Sequence, residues 1–467
     1  MPKDLTQGRP FRVLLQFSLP VIAGNLFQLF YTLADTVIVG RTLGAQALAA
    51  VGSTTIVIYF VLCFVQGFTG GFGICLAQRF GARDENGQRS SAAVSWLLSA
   101  GFAVIITALF CALAHPILQW MRTPEDIYAE AYSYMFIVLL GTGATVFYNM
   151  ISNMLRSLGD SRTPLFFLIF SALLNVVLDL VFILPLGMGV AGAAWATVLS
   201  QLLSAVLCTI VGMQDFDVLR TRRADFADWR RAAAKHLAVG FPMGFQMSVM
   251  CIGQLAMQTG VNALGSVMCI GQLTMQTGVN SLGSVAVAGY TAATKVDQLP
   301  VLMNNAFGIA LSSFVAQNYG AGQYRRISEG VRACLVQIEL CNVLMCALLL
   351  GCRNLVVPLF LDSPTAEVIR YSDGYLFAVC PFYVVLGLLM VFRTAIQSMG
   401  NSRTPFEACV IELVMRILGS VGLAALLAPY GLSYTGICLS HTLAWLGATA
   451  LLMPVYFRQM KALPLSQ

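Results

Sequence analysis

Apolar residues run along this chain in long blocks that short polar stretches separate. Each block is about 20 residues long, which is the length an α-helix needs to cross the hydrocarbon core of a bilayer. Twelve such blocks can be counted, so the pattern predicts twelve membrane-spanning helices. They cover residues 12–39, 54–77, 92–114, 131–152, 164–185, 190–212, 237–263, 290–315, 333–351, 371–392, 405–427 and 434–456.

The composition supports an all-α integral membrane protein. Of the 467 residues, 58% are apolar and 10% are charged, whereas ordinary soluble domains carry about a quarter charged residues. This excludes a soluble enzyme. The sequence contains neither a GxxxxGK[ST] phosphate loop nor an HExxH zinc motif, and it offers no nucleophile paired with a base. We therefore predict that the chain is not an enzyme, with a membrane-embedded hydrolase as the disfavoured alternative.

The basic residues predict how the chain is oriented. If both termini are cytoplasmic, 21 of the 27 Lys and Arg fall on the cytoplasmic side, with Arg393 counted in a loop; five fall on the opposite side, and Arg416 is left inside a span. The positive-inside rule then predicts a multi-pass protein of the inner (cytoplasmic) membrane with both termini cytoplasmic. The net charge of +6 does not indicate a nucleic-acid partner, because no basic run is interleaved with stacking aromatic residues. Nucleic acid is therefore not expected as a partner.

The chain divides into two halves that repeat each other. One long polar stretch, 214–236, is a predicted cytoplasmic linker between an N-terminal lobe at 1–213 and a C-terminal lobe at 237–467. The motif RSLGDSRTP at 156–164 returns as QSMGNSRTP at 397–405, and AQ followed by GA at 77–82 returns at 316–321. Six spans per half is an even number, so the two six-helix bundles share one orientation and are related by a pseudo-two-fold axis along the membrane normal. We expect a monomer with a substrate cavity between the bundles.

A second, shorter repeat is tandem. Residues 249–266 read VMCIGQLAMQTGVNALGS, and residues 267–284 read VMCIGQLTMQTGVNSLGS. Eighteen extra residues would lengthen one helix by about 27 Å, which overshoots the membrane. We therefore predict a break near Gly265 and Ser266, with the second copy forming an extra-cytoplasmic or re-entrant segment.

Polar groups inside the spans predict a cation site in the first lobe. Ionisable residues in a membrane are costly and indicate function. Asp35 lies near the outer end of the first span, Asp179 follows Asn175 by one turn in the fifth, and Thr197 lies in the sixth. All four reach the outer half, and their oxygen atoms suit a sodium ion or, on the carboxylates, a proton. Hydrogen bonds that only join spans are the alternative.

The second lobe carries its own charged candidates. Glu412 precedes Arg416 by four residues, which predicts a buried ion pair on one helical face. That pair is either a static lock or a group that exchanges partners during transport. For Glu339, lining the cavity and lying against a neighbouring helix are both open. Pro20 and Pro242, in the first span of each half, allow either a fixed kink or a moving hinge.

Together these motifs resemble the multidrug and toxic compound extrusion (MATE) family, bacterial branch. The resemblance covers nearly the whole chain and rests on the paired SLGDSRTP and SMGNSRTP turns, on Gln28 with Asp35, on Asn175 with Asp179, and on LGSVAVAGYTAATKVDQL at 282–299. It implies a secondary active antiporter that expels cationic, amphipathic compounds by alternating access in exchange for sodium ions or protons. It also implies no cofactor beyond that coupling ion, contact with membrane lipids, and cation-site roles that carry over to Asp35, Asn175, Asp179 and Thr197.

A lipid-linked precursor flippase of the same superfamily is the alternative function. Such a protein would need several unpaired Arg or Lys in its cavity to hold an anionic pyrophosphate. In this interpretation the spans contain only Arg416, paired with Glu412. The sequence therefore favours the exporter.

Overall fold

The computed structural model describes residues 4–121, 123, 125–263, 284–356, 358 and 365–464. Within these residues the chain forms fifteen α-helices and no strand. The helices are α1 (Pro10–Leu43), α2 (Ala45–Gly81), α3 (Glu85–Trp120), α4 (Glu125–Leu140), α5 (Thr142–Ser157), α6 (Arg162–Ile183), α7 (Gly189–Asp215), α8 (Trp229–Ala263), α9 (Ser284–Gly320), α10 (Tyr324–Gly351), α11 (Arg353–Val356), α12 (Ala366–Val379), α13 (Tyr383–Ser398), α14 (Arg403–Leu427) and α15 (Ser433–Ala462).

The predicted spans correspond to these helices one by one. Ten described helical stretches are long and apolar enough to cross a membrane, with α12 and α13 counted together, and α4 with α5 forms an eleventh that bends by 43°. The 35-residue helix α8 completes the second set of six. The prediction of an all-helical membrane protein with twelve spans is therefore confirmed. The break predicted near Gly265 lies outside the described residues.

The repeated SRTP motif is a repeated way of starting a helix. Gly159 and Gly400 have φ angles of +91° and +97°, a region that glycine adopts without steric cost. The carboxylate of Asp160 then accepts hydrogen bonds of 2.9 and 3.1 Å from the first two backbone N–H groups of α6. The side chain of Asn401 accepts one of 3.2 Å from the Thr404 N–H in the first turn of α14. These bonds satisfy N–H groups that a helix start leaves unpaired.

The first helix of each half also packs against the other half. Helix α1 packs against α9 and α10 of the second half, and α8 packs against α2 and α3 of the first. The α2–α8 contact is backbone against backbone: a Cβ at Gly67 would lie 2.3 Å from the Met243 carbonyl oxygen, and one at Gly71 would lie 2.6 Å from the Gly240 Cα. Small residues permit this close approach. Each lobe is thereby docked on the first helix of the other.

The polar linker is fastened to one end of the bundle. The Arg89 guanidinium donates a 3.1 Å hydrogen bond to the backbone oxygen of Asp217 and another to its carboxylate. This partner holds the pKa of the Asp217 carboxyl below its ordinary value. We call this end of the molecule, which contains residues 217–226, the start of α1 and the end of α15, the linker end.

Candidate cation site and inter-lobe cavity

Three of the four residues predicted for the cation site meet between α6 and α7. Asn175 and Asp179 have no exposed surface. When the Asn175 amide is oriented to satisfy its neighbours, its nitrogen donates to Asp179 Oδ2 at 2.9 Å, and its oxygen accepts from the Thr197 N–H and hydroxyl at 3.1 and 3.3 Å. Asp35 belongs to α1, which packs on α6, but its side chain lies outside the described part of the chain.

This cluster offers chemistry that a purely apolar span could not. A carboxylate, an amide oxygen and a hydroxyl are hard oxygen donors of the kind that small cations bind. A carboxylate shielded from water is also a proton acceptor. Asp179 lies in the part of α6 farther from the linker end, 17 residues beyond Arg162, or about 26 Å along the helix. The cluster is therefore placed away from the linker end.

A cavity of about 360 Å³ lies between the lobes. Residues of α1, α2, α5, α6, α8, α9 and α13 line it, so both halves contribute. Of the predicted candidates, Gln28 and Pro20 line this cavity. Pro242 lies inside α8 and is not among the described lining residues.

Glu339 does not line the cavity within the described residues. It lies against α13, where a Cβ on Gly387 would come within 2.4 Å of Glu339 Oε1. The Asn342 amide approaches its other carboxylate oxygen at 3.5 Å. Of the two possibilities that the sequence left open, contact with a neighbouring helix is therefore the one observed.

The predicted pair between Glu412 and Arg416 is wrong. Glu412 accepts instead from Arg393 on the adjacent helix α13, and the two side chains are only 6% and 5% exposed. The placement of Arg393 in a loop is wrong for the same reason, since it lies inside α13 and lines the cavity. Arg416 makes no ion pair with any described residue, and its Nε is buried without a hydrogen-bond partner.

Asp297, on α9, is a carboxylate that sequence reasoning missed. Tyr383 donates to its Oδ1 at 2.6 Å, and Tyr375 donates to its Oδ2 at 3.1 Å. These contacts join α9 to the α12–α13 span inside the second lobe. Its position within the apolar block 290–315 could have identified it, because an acidic residue inside a membrane span has either a functional or a structural role.

The bond from Tyr383 should stabilise the second lobe. In Tyr383→Phe, the Asp297 carboxylate loses its shorter hydrogen bond while remaining largely enclosed, so we expect a loss of about 1–3 kcal/mol in the free energy of unfolding. Tyr430→Phe is the control, because that phenol is 77% exposed. Denaturant titration in detergent measures both, and equal stabilities would contradict the role.

Matched hydrogen bonds close the cavity at the linker end. Gln78 Nε2 donates to the Ser398 carbonyl at 3.0 Å, and Gln317 Nε2 donates to the Ser157 carbonyl at 2.7 Å. Each bond runs from one lobe to the other. The two are equivalent in the repeat, since Gln78 and Gln317 occupy the same place in the AQ motif.

The ends of α2 and α9 cross at the glycines of the same motif. A Cβ on Gly81 would lie 1.7 Å from the Gln317 carbonyl oxygen, and one on Gly320 would lie 1.7 Å from the Gln78 carbonyl oxygen. Only glycine fits such an approach. We call Gln78, Gly81, Gln317 and Gly320 the crossing, and it seals the linker end of the cavity.

Comparison with known proteins places these features in a family. The family model described as MatE matches residues 20–181 and 262–421. The chain is 29% identical over 402 residues to the probable multidrug resistance protein YpnP of Bacillus subtilis, covering 85% of this chain and 84% of that one. It is 26% identical to a protein of Shewanella oneidensis named FAD transporter, over 89% and 87% of the two chains.

Solved structures share the fold. One is described as the outward-facing conformation of a multidrug resistance MATE family transporter, with a TM-score of 0.86, 22% identity and 98% of both chains covered. Another is a transporter of the MOP superfamily from Pyrococcus furiosus, described as having a binding pocket of reverse polarity, with a TM-score of 0.85, 24% identity and the same coverage.

Proposed function

We propose that this chain, which belongs to the MatE family of multidrug and toxic compound extrusion transporters, exports small organic molecules in exchange for a cation. As a member of this family it is a multi-pass membrane transporter and not an enzyme. The finer assignment is supported by one arrangement: a buried Asn175–Asp179–Thr197 cluster in a lobe that borders an inter-lobe cavity closed at one end. The multidrug names of several relatives agree with small organic substrates.

The coupling ion in this proposal is sodium or a proton, and no other cofactor is needed. It binds at Asp35, Asn175, Asp179 and Thr197. Neutralising a carboxylate there lowers the cost of rearranging helices around it in a low-dielectric environment. Cation binding and substrate release are thereby coupled through one conformational change.

Alternating access is the mechanism we propose for that exchange. Residues 1–213 and 237–467 act as the two lobes, the linker at 214–236 is cytoplasmic with both termini, and the monomer lies in the inner membrane. With the crossing formed, the cavity is closed towards the cytoplasm. Opening requires the crossing to separate, with Pro20 and Pro242 as hinge candidates in the first helix of each lobe.

A flippase for an anionic lipid-linked precursor is the second candidate. The observation in its favour is that Arg156 and Arg393 both line the cavity, whereas the sequence suggested only Arg416. Arg393 is neutralised by Glu412, which leaves Arg156 as the one uncompensated guanidinium among the described lining residues. That is fewer than the several such a substrate would need, so the exporter is preferred.

Transport in proteoliposomes tests the proposal. Wild type, Asp179→Asn and Asp228→Asn are reconstituted, and movement of carboxyfluorescein and rhodamine 123 is followed under a sodium gradient and a proton gradient in turn. We expect gradient-driven transport of at least one dye, a loss of more than tenfold in Asp179→Asn, and wild-type rates for Asp228→Asn, whose side chain is exposed in the linker. Transport of neither dye under either gradient would contradict the proposal.

A further inference from the structure

We propose that the inter-lobe cavity binds small organic anions and that Arg156 is the residue that takes the anionic group. The inference rests on the proposed export function for its physiological meaning, because it names the substrate class of the same cavity. It departs from the cationic substrates that the family resemblance implies. The reasons lie in the charges and hydrogen-bond donors that line the cavity.

The described lining of the cavity is basic. Its charged members are Arg156 and Arg393, and no Asp or Glu lies among them. Glu412, which is not a lining residue, forms an ion pair with Arg393 and compensates its charge. No carboxylate of the described residues forms an ion pair with Arg156, and its one hydrogen bond in that part of the chain is a long contact of 3.5 Å to the Asn153 side chain.

The Arg156 guanidinium is suited to bind a ligand. Its Nε is enclosed and has no hydrogen-bond partner among the described groups. A guanidinium removed from water with donors left over is costly unless an acceptor arrives. Carboxylates, phosphates and sulfonates present two oxygens at the spacing of the guanidinium fork and bind it through paired hydrogen bonds. An organic cation in the same position would meet repulsion.

The residue that is equivalent to Arg156 in the second lobe carries no charge. Position 397 is the counterpart of position 156, and it holds a glutamine whose amide donates to Gln246 at 3.0 Å. The second lobe therefore supplies neutral polar groups where the first supplies a cation. An amphipathic anion can place its charged group at Arg156 and its body among the amides and hydroxyls of the remaining wall. The amide side chains in that wall are Asn25, Gln28, Gln66, Asn149, Asn153, Gln246, Asn305 and Gln397.

Binding of two related dyes to the purified chain in neutral detergent tests the proposal. Carboxyfluorescein and rhodamine 123 share a tricyclic xanthene core but carry opposite charge, and fluorescence anisotropy reports binding of each. We expect carboxyfluorescein to bind at least tenfold more tightly than rhodamine 123. Arg156→Gln should weaken carboxyfluorescein binding by tenfold or more, with partial recovery in Arg156→Lys. Arg162→Gln is the control, since it removes the same charge from an exposed position nearby.

The outcomes separate this inference from the proposed function. Equal affinity of Arg156→Gln and wild type, tighter binding of rhodamine 123, or no binding of carboxyfluorescein would overturn it, whatever transport shows. Arg156-dependent binding without gradient-driven transport would support the anion site and count against export. Displacement of the dye by added phosphatidylglycerol would support the site and assign it to a lipid headgroup, whereas displacement by soluble aromatic sulfonates alone assigns it to free anions. Circular dichroism and a melting curve establish that each variant is folded.

Discussion

Glu412→Gln is expected to lower the free energy of unfolding by about 3–5 kcal/mol, because it leaves the enclosed Arg393 guanidinium without its counter-charge. Replacing both members together, as Arg393→Met with Glu412→Leu, should restore most of that loss, since two well-packed apolar side chains need no compensation. The pattern distinguishes a buried ion pair from a region that tolerates no change. Unfolding by dodecyl sulfate in mixed micelles, followed by tryptophan fluorescence, measures the three chains.

The same helix provides a matched control. Arg403 and Glu407 form an ion pair of 2.9 Å at the start of α14, and their side chains are 88% and 46% exposed. Glu407→Gln should cost less than about 1 kcal/mol, as exposed pairs do. If Glu412→Gln and Glu407→Gln proved equally stable, the Arg393–Glu412 contact would not be a buried pair in the working protein.

The Arg393–Glu412 ion pair is a feature that the sequence did not predict. The apolar block ending at 392 predicted a span correctly, but α13 continues to Ser398, and a boundary short by six residues moved Arg393 from the wall of a cavity into a loop. Spacing along one helix could then offer Glu412 only Arg416. A contact between two different helices, even consecutive ones, has no signature in the periodicity of either helix.

Other features were readable because a membrane imposes one-dimensional rules. Lipid forces every span to satisfy its own backbone hydrogen bonds, so length and hydropathy located the helices. The spacing of four between Asn175 and Asp179 placed both on one helical face, and the structure brings them together with Thr197. Asp297 was overlooked because small and polar residues surround it in AGYTAATKVDQLP, although two tyrosines from another span enclose it.

The internal repeat explains the crossing, which neither half of the chain alone would explain. The AQ and GA motifs were visible as a repeated pattern, but sequence gave no reason why they should face each other. In the fold, a two-fold axis brings equivalent residues of the two lobes to the same place, so a motif close to the axis meets its own copy. The glycines are then required because the partner is a carbonyl oxygen that cannot retreat.

Gly320→Ala is expected to abolish transport, reducing the rate by more than tenfold, while leaving the protein folded. The added methyl would lie 1.7 Å from the Gln78 carbonyl oxygen, so the crossing could not form and the linker end would remain open. A transporter that alternates between two states stops when either is forbidden. Gly81→Ala should give the same result through the equivalent clash with Gln317.

Hydrogen exchange followed by mass spectrometry shows the conformational part of this result. Residues 77–84 and 316–323 should exchange faster in both variants than in wild type, because closure buries them. Gly101→Ala is the control, since nothing lies within 4 Å of a Cβ there, and it should transport and exchange as wild type does. Faster exchange confined to the linker end identifies a crossing that closes during the cycle, whereas unchanged exchange with unchanged transport would mean that the lobes need not meet at these glycines.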